Sequence, residues 1–104
     1  MNDKHGNLYI GDDIKSDVER DCDVCIIGSG AGGAVLAAGL VERGLSVVML
    51  EEGGYYTKDD FVLNESQAFD MLYQDRGVRA TSDLGISVLQ GRSVGGGTTV
   101  NWTT

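Results

Sequence analysis

The chain has 104 residues, 41% of them apolar, which bounds it to one small domain or part of one. Eight Lys and Arg against sixteen Asp and Glu give a formal charge of −8, which repels phosphate backbones and anionic lipid and excludes nucleic acid as a natural partner. Charges scattered through residues 1–20 leave no secretory apolar core, and the longest apolar stretch, 34–41, falls far short of the ~20 residues a spanning helix needs, so the chain reads as soluble and cytoplasmic.

Residues 1–20 are polar and aperiodic and read as an N-terminal extension, with Leu8, Tyr9 and Ile10 as a short edge strand and His5 as a solvated side chain. At residues 23–27 the chain turns apolar and β-branched, predicting a buried strand that ends at Gly28. Cys22 and Cys25 have C-x-x-C spacing, but in an extended run residues three apart project to opposite faces about 10 Å apart. That exceeds the ~7 Å reach of a disulfide, and the expectation is one buried thiol and one at the strand start, with no metal site. Leu36, Ala37, Leu40 and Val41 then recur at helical spacing from Gly33 onward, with Arg43 in the last turn and Gly44 as the cap. Residues 46–50 form a second apolar strand, closing a βαβ unit.

Beyond Glu51 the Gly53-Gly54 pair breaks the chain, and Thr57 to Asp60 resembles a capping box that starts a short helix ahead of Phe61. Ala68, Met71 and Leu72, with Phe69 and Tyr73 on an adjacent stripe, predict a second helix over 65–74 that stops before Gly77, its aromatics in the core. Residues 86–90 read as a further strand, followed by a second glycine-rich loop, 91–97, and the run 98–104.

The chemistry concentrates in the glycines. A diphosphate must be met by main-chain N–H groups at a helix N-terminus, which works only where side chains are absent. Gly28, Gly30 and Gly33 have that spacing: the first for the turn, the second for approach of the pyrophosphate, the third for close helix packing. Ser29 and Ala31 complete the loop. Alone, G-x-G-x-x-G is weak; here it follows a strand, opens a helix, and the next strand ends in an acid. Glu51 lies roughly 20 residues further on, where a carboxylate accepts hydrogen bonds from ribose hydroxyls and repels a 2′-phosphate. NAD and FAD both remain possible on that spacing, whereas Glu52 is read as a solvated neighbour pointing the other way.

The second glycine run separates them. Gly91-Arg92-Ser93-Val94-Gly95-Gly96-Gly97-Thr98-Thr99-Val100-Asn101-Trp102, taken with the first motif and Leu50-Glu51-Glu52-Gly53, resembles the glucose-methanol-choline (GMC) family of FAD-dependent oxidoreductases from Asp23 to the chain end. The resemblance implies an α/β fold: a Rossmann-like FAD-binding βαβ unit, the incomplete N-terminal part of a larger domain, with 1–20 an extension and 21–104 the FAD-binding portion. It implies that Gly96, Gly97 and Asn101 lie along the pyrophosphate and flavin ring, that Trp102 and Thr103 add backbone contacts, and that Arg92 sits nearby. Successive glycines suit an anion-binding nest, and Asn101 is a short side chain with donors for a flavin. Some members of the family tether FAD through a histidine at the position that Val100 holds; valine forms no such bond, so noncovalent FAD is expected. The family's proton-accepting histidine lies near the C-terminus of a much longer chain, so no catalytic residue is expected here. The implied activity is oxidation of the CH-OH group of a small alcohol, with hydride passing to flavin N5 and the electron acceptor unassigned. A stand-alone dinucleotide-binding module and an NAD-dependent dehydrogenase fragment are the competing readings; the latter needs no second glycine loop.

Overall fold

The computed structural model describes residues 8–61 and 64–100. Its centre is a βαβ unit: β1 (Val24–Ile27), α1 (Ala31–Glu42) and β2 (Val47–Leu50). The two strands are parallel, with Val24 opposite Val47 and Ile27 opposite Leu50. Asp23 sets their common start, since its carboxylate accepts from the Ser46 N–H at 2.8 Å and from the Ser46 hydroxyl, while the Asp23 N–H donates to Ser46 Oγ. At the far end the Gly28 N–H donates to the Leu50 carbonyl at 2.8 Å, so both strands stop together beside the first glycine run.

Helix α1 begins at Ala31, two positions before the predicted start, because Gly30 already takes the extended N-cap conformation. Its end matches expectation. Gly44, at φ 84°, donates to the Val41 carbonyl and Leu45 to that of Leu40, the paired bonds of a Schellman cap. The helix lies on the sheet through Ile26, which is buried. Its outer side keeps Val35 (75% exposed), Leu36 and Val41 at the surface. A helix apolar all round is one suited to burial on several sides.

The opposite sheet face carries Cys25 and Ile27, the latter 86% exposed. Against part of it runs the N-terminal segment, enclosing a space of 730 Å³ between Leu8, Ile14 and Val18 on one side and Val48 and Leu50 on the other. Arg20 stacks over the Tyr9 ring at 4.9 Å. The predicted edge strand at 8–10 reduces to a single bridge at Leu8, after which the chain makes a 3-10 turn, Gly11–Asp13. Both cysteines are free thiols, Cys22 half-buried and Cys25 exposed. The expected buried thiol is therefore absent, because Cys25 faces away from α1.

The remaining elements depart further from their predicted forms. At Thr57 to Asp60 the Asp60 carboxylate accepts from both the N–H and the hydroxyl of Thr57, closing a turn rather than starting a helix. The second predicted helix begins where expected: α2 (Glu65–Leu72) is capped by Asn64, whose side chain accepts from the Gln67 N–H. It ends two residues short of the prediction, because Tyr73 is extended and Asp75 and Arg76 adopt left-handed backbone angles. Phe69 and Tyr73 stack at 4.6 Å, and Leu72 and Tyr73 are buried, so the aromatic stripe is core as expected. The predicted strand 86–90 does not form. That stretch is paired only locally: the bridge Ala80 to Ser87, flanked by the Thr81 N–H on the Ile86 carbonyl and the Val88 N–H on that of Arg79, and the Gln74 N–H on the Gln90 carbonyl ahead of the bridge Tyr73 to Gly91. Among the described residues no helix is long and apolar enough to cross a membrane.

Candidate functional site

Both glycine loops and Glu51 meet at the C-terminal end of the two strands. In a parallel α/β sheet this is where ligands bind, because helix N-termini and strand-to-helix loops gather there. The first loop makes its turn at Gly28, φ 99°, a region that side chains rarely enter. The first-turn N–H groups of α1 have no acceptor within the helix, and Gly30 supplies no side chain to cap them. They lie beside the cleft at the positive end of the helix dipole.

The second loop is brought over the first. Gly95 and Gly96 are both left-handed, at φ 97° and 60°, and lead into the 3-10 turn Gly96–Thr98. A Cβ on Gly96 would stand 2.8 Å from the Gly30 Cα. The two glycine corners thus touch through bare backbone, and between them and the strand ends lies a cleft of 390 Å³ lined by Ile27, Gly28, Gly30, Leu50, Glu51, Glu52, Gln90, Gly91, Gly96 and Gly97. The larger space under the N-terminal segment shares Leu50 and Glu51 with this cleft but is not lined by Gly28, Gly30, Gly96 or Gly97.

The glycines divide by what they touch. A Cβ on Gly33 would run into the Gly28 carbonyl oxygen, so that glycine is required by packing of α1 on the loop. A Cβ on Gly30 would meet no protein atom within 4 Å, and its φ of −68° suits any residue. Among the described residues neither sterics nor backbone requires a glycine there, and its bare main chain is open to close approach from the cleft. This fits a dinucleotide pyrophosphate.

Glu51 is held from both sides. Its Oε2 accepts from the Ser29 N–H at 3.0 Å and the Ser29 hydroxyl at 2.7 Å, and its Oε1 accepts from the Gly53 N–H at 2.8 Å. Burial pushes its carboxyl up, but the bonds from Gly53, Ser29 and the Glu52 amide outweigh that and hold it below the usual carboxylate value. The carboxylate stays ionised and oriented at the end of β2, on the rim of the cleft. Glu52 is exposed but lines the cleft, contrary to the expectation that it points away, and stands 3.9 Å from Arg92 in a loose ion pair.

Of the residues predicted for cofactor contact, Gly28, Gly30, Glu51, Gly96 and Gly97 line the cleft. Ser29, Ala31, Gly33 and Arg92 lie beside it without lining it. Asn101, Trp102 and Thr103, like His5, fall outside the described residues. Sequence reasoning missed Gly53 and Gly91, which hold the second loop in place. A Cβ on Gly53 would strike the Arg92 backbone, and one on Gly91 the Gly96 carbonyl. The signal was present in the Gly53-Gly54 pair directly after the strand-ending acid.

Comparison with known proteins agrees with this geometry. The family described as FAD binding domain matches residues 21–68. A long-chain-alcohol oxidase of Arabidopsis thaliana is 44% identical over 81 residues, covering 78% of this chain and 11% of that protein. A GMC-type oxidoreductase of Sinorhizobium fredii is 40% identical over 94 residues, 88% of this chain and 18% of that protein. The 6'''-hydroxyparomomycin C oxidase of Streptomyces lividus is 63% identical over 35 residues, 34% of this chain and 6% of that one. The chain therefore spans only 11% and 18% of the length of the first two. No solved structure matches it significantly.

Proposed function

Because the chain belongs to the glucose-methanol-choline family and carries an FAD-binding segment of it, we propose that it serves as the cofactor cradle of a flavin-dependent alcohol oxidoreductase. The observation that carries this reading is Gly30, a glycine that the fold itself does not need, at the centre of a cleft between two glycine loops. Bound there noncovalently, FAD supplies a hydride acceptor for a CH-OH group.

The chain's own residues bind and orient. The amides at the start of α1 and around Gly97 face the diphosphate charge, and the bare corners at Gly28, Gly30 and Gly96 let it approach. Glu51 takes the ribose hydroxyls and disfavours a 2′-phosphate. Val100, at the position where some relatives place a tethering histidine, leaves the flavin unbonded to this loop. In the family the chain resembles, a histidine near the C-terminus of a much longer chain takes the substrate proton, so the described residues are assigned binding alone. The names of the relatives favour an alcohol as the donor, long-chain alcohols among the candidates. An NAD enzyme would leave the second loop, with its close approach to Gly30, without a role.

The test uses the full-length protein. It should purify yellow with one FAD per chain. Gly30→Val should fold with unchanged circular dichroism and emerge colourless; a Gly30→Val protein that keeps its flavin would overturn the placement.

A further inference from the structure

Ser29 was expected among the residues that touch the cofactor, yet it is 5% exposed and does not line the cleft, although Gly28 and Gly30 on either side of it do. Its hydroxyl is already engaged in both senses. It donates to Glu51 Oε2 at 2.7 Å and accepts from the Gly95 N–H at 3.2 Å. One hydroxyl has one proton to give, so none is left for a ligand.

Those two bonds close a ring. From Ser29 the path runs to Glu51, then to Gly53 at 2.8 Å. Gly54 follows in the chain, and its carbonyl accepts from the Val94 N–H at 3.0 Å. Gly95, the next residue, returns to Ser29. Every other link of the ring is main chain or the Glu51 carboxylate. The Gly95 N–H on the Ser29 hydroxyl joins the first glycine loop to the second, 66 positions away, beside the backbone contact of Gly96 with Gly30.

Resting on the FAD reading above, we infer that Ser29 is a positioning residue: its hydroxyl couples Glu51 to the second glycine loop and so sets how tightly flavin is held, without touching it. Ordering two loops before binding removes a cost that the ligand otherwise meets. Deleting the hydroxyl takes one donor from Glu51 and leaves the part-buried Gly95 N–H without its acceptor.

The experiment measures FAD affinity of the full-length protein for wild type, Ser29→Ala, Ser29→Thr, Glu51→Gln and the Ser29→Ala/Glu51→Gln pair. It also follows hydrogen exchange of residues 94–97 in FAD-free protein. Ser29→Ala should weaken FAD about tenfold, the loss of roughly one charge-assisted hydrogen bond, and should speed exchange at 94–97. Ser29→Thr, which keeps the hydroxyl, should restore slow exchange, and the double variant should lose less than the product of the single losses. Unchanged affinity and exchange in Ser29→Ala, or single losses that multiply fully, would overturn the coupling. Wild-type protein without FAD would instead remove the functional reading, while faster exchange in FAD-free Ser29→Ala would still uphold the link between the loops.

Discussion

Gly33 sits so close to the carbonyl oxygen of Gly28 that a side chain on it would occupy the same space. This contact holds the start of α1 against the first loop, with Ile26 Cγ2 next to it at 3.3 Å from where a Cβ would stand. Gly39, in the middle of the same helix, has open space where a Cβ would go.

Alanine at these two positions should therefore act in opposite directions. Gly33→Ala should destabilise by about 1–3 kcal/mol, since a backbone carbonyl cannot move aside as a side-chain tip can. Gly39→Ala, with no clash among the described residues, should stabilise by about 0.5–1 kcal/mol from helix propensity alone. Urea unfolding of the full-length protein measures both. Equal effects would show that α1 does not seat on the loop through Gly33.

Acid should loosen the site through Glu51. Its carboxyl is held below the usual value of 4.5 by hydrogen bonds from Gly53 and Ser29 despite the opposing effect of burial. A depressed folded value means a stabilising contribution present in full above the unfolded pKa and lost as pH falls through the folded one. The charges lining or bordering the same cleft, Glu52 and Arg92, pair loosely with each other at 3.9 Å. The stability gap between wild type and Glu51→Gln should be constant at neutral pH and should shrink as pH falls below the usual carboxylate value of 4.5. Unfolding curves on either side of that value decide it, and a gap that widens on acidification would reverse the assignment.

The βαβ unit was legible because several local signals agreed there: β-branched runs at 24–27 and 47–50, a helical repeat between them, and Gly44 as a cap. Residue type alone also marked both glycine loops. What could not be read was how they meet. Ser29 reaches Glu51 across 22 positions and Gly95 across 66, and no spacing rule links a serine in one turn to an amide in another. At 86–90, Ile86, Val88 and Leu89 supply the apolar residues of a strand, but the stretch pairs only through the bridge at Ser87, with residues 79–81 across the preceding turn at Leu84. The Thr57 to Asp60 box failed because Asp60 reaches back to both Thr57 donors and closes a turn, a side-chain choice that the pattern shares with a helix start.

That preceding turn offers a last test. Leu84 adopts φ 60° with its side chain 82% exposed. It is held there by its own N–H on the Thr81 carbonyl at 2.8 Å, and by Asp83, which accepts from the Thr81 hydroxyl and from the Gly85 N–H. Left-handed angles cost a β-carbon-bearing residue about 1–2 kcal/mol, and asparagine tolerates them best after glycine. Leu84→Asn should therefore raise stability by about 0.5–1 kcal/mol through relief of that strain. Thermal unfolding of the full-length protein gives the sign. A rise shows that the turn's hydrogen bonds alone impose the conformation. A fall shows that the leucine side chain stabilises the fold by more than the strain of its backbone costs, through apolar contact.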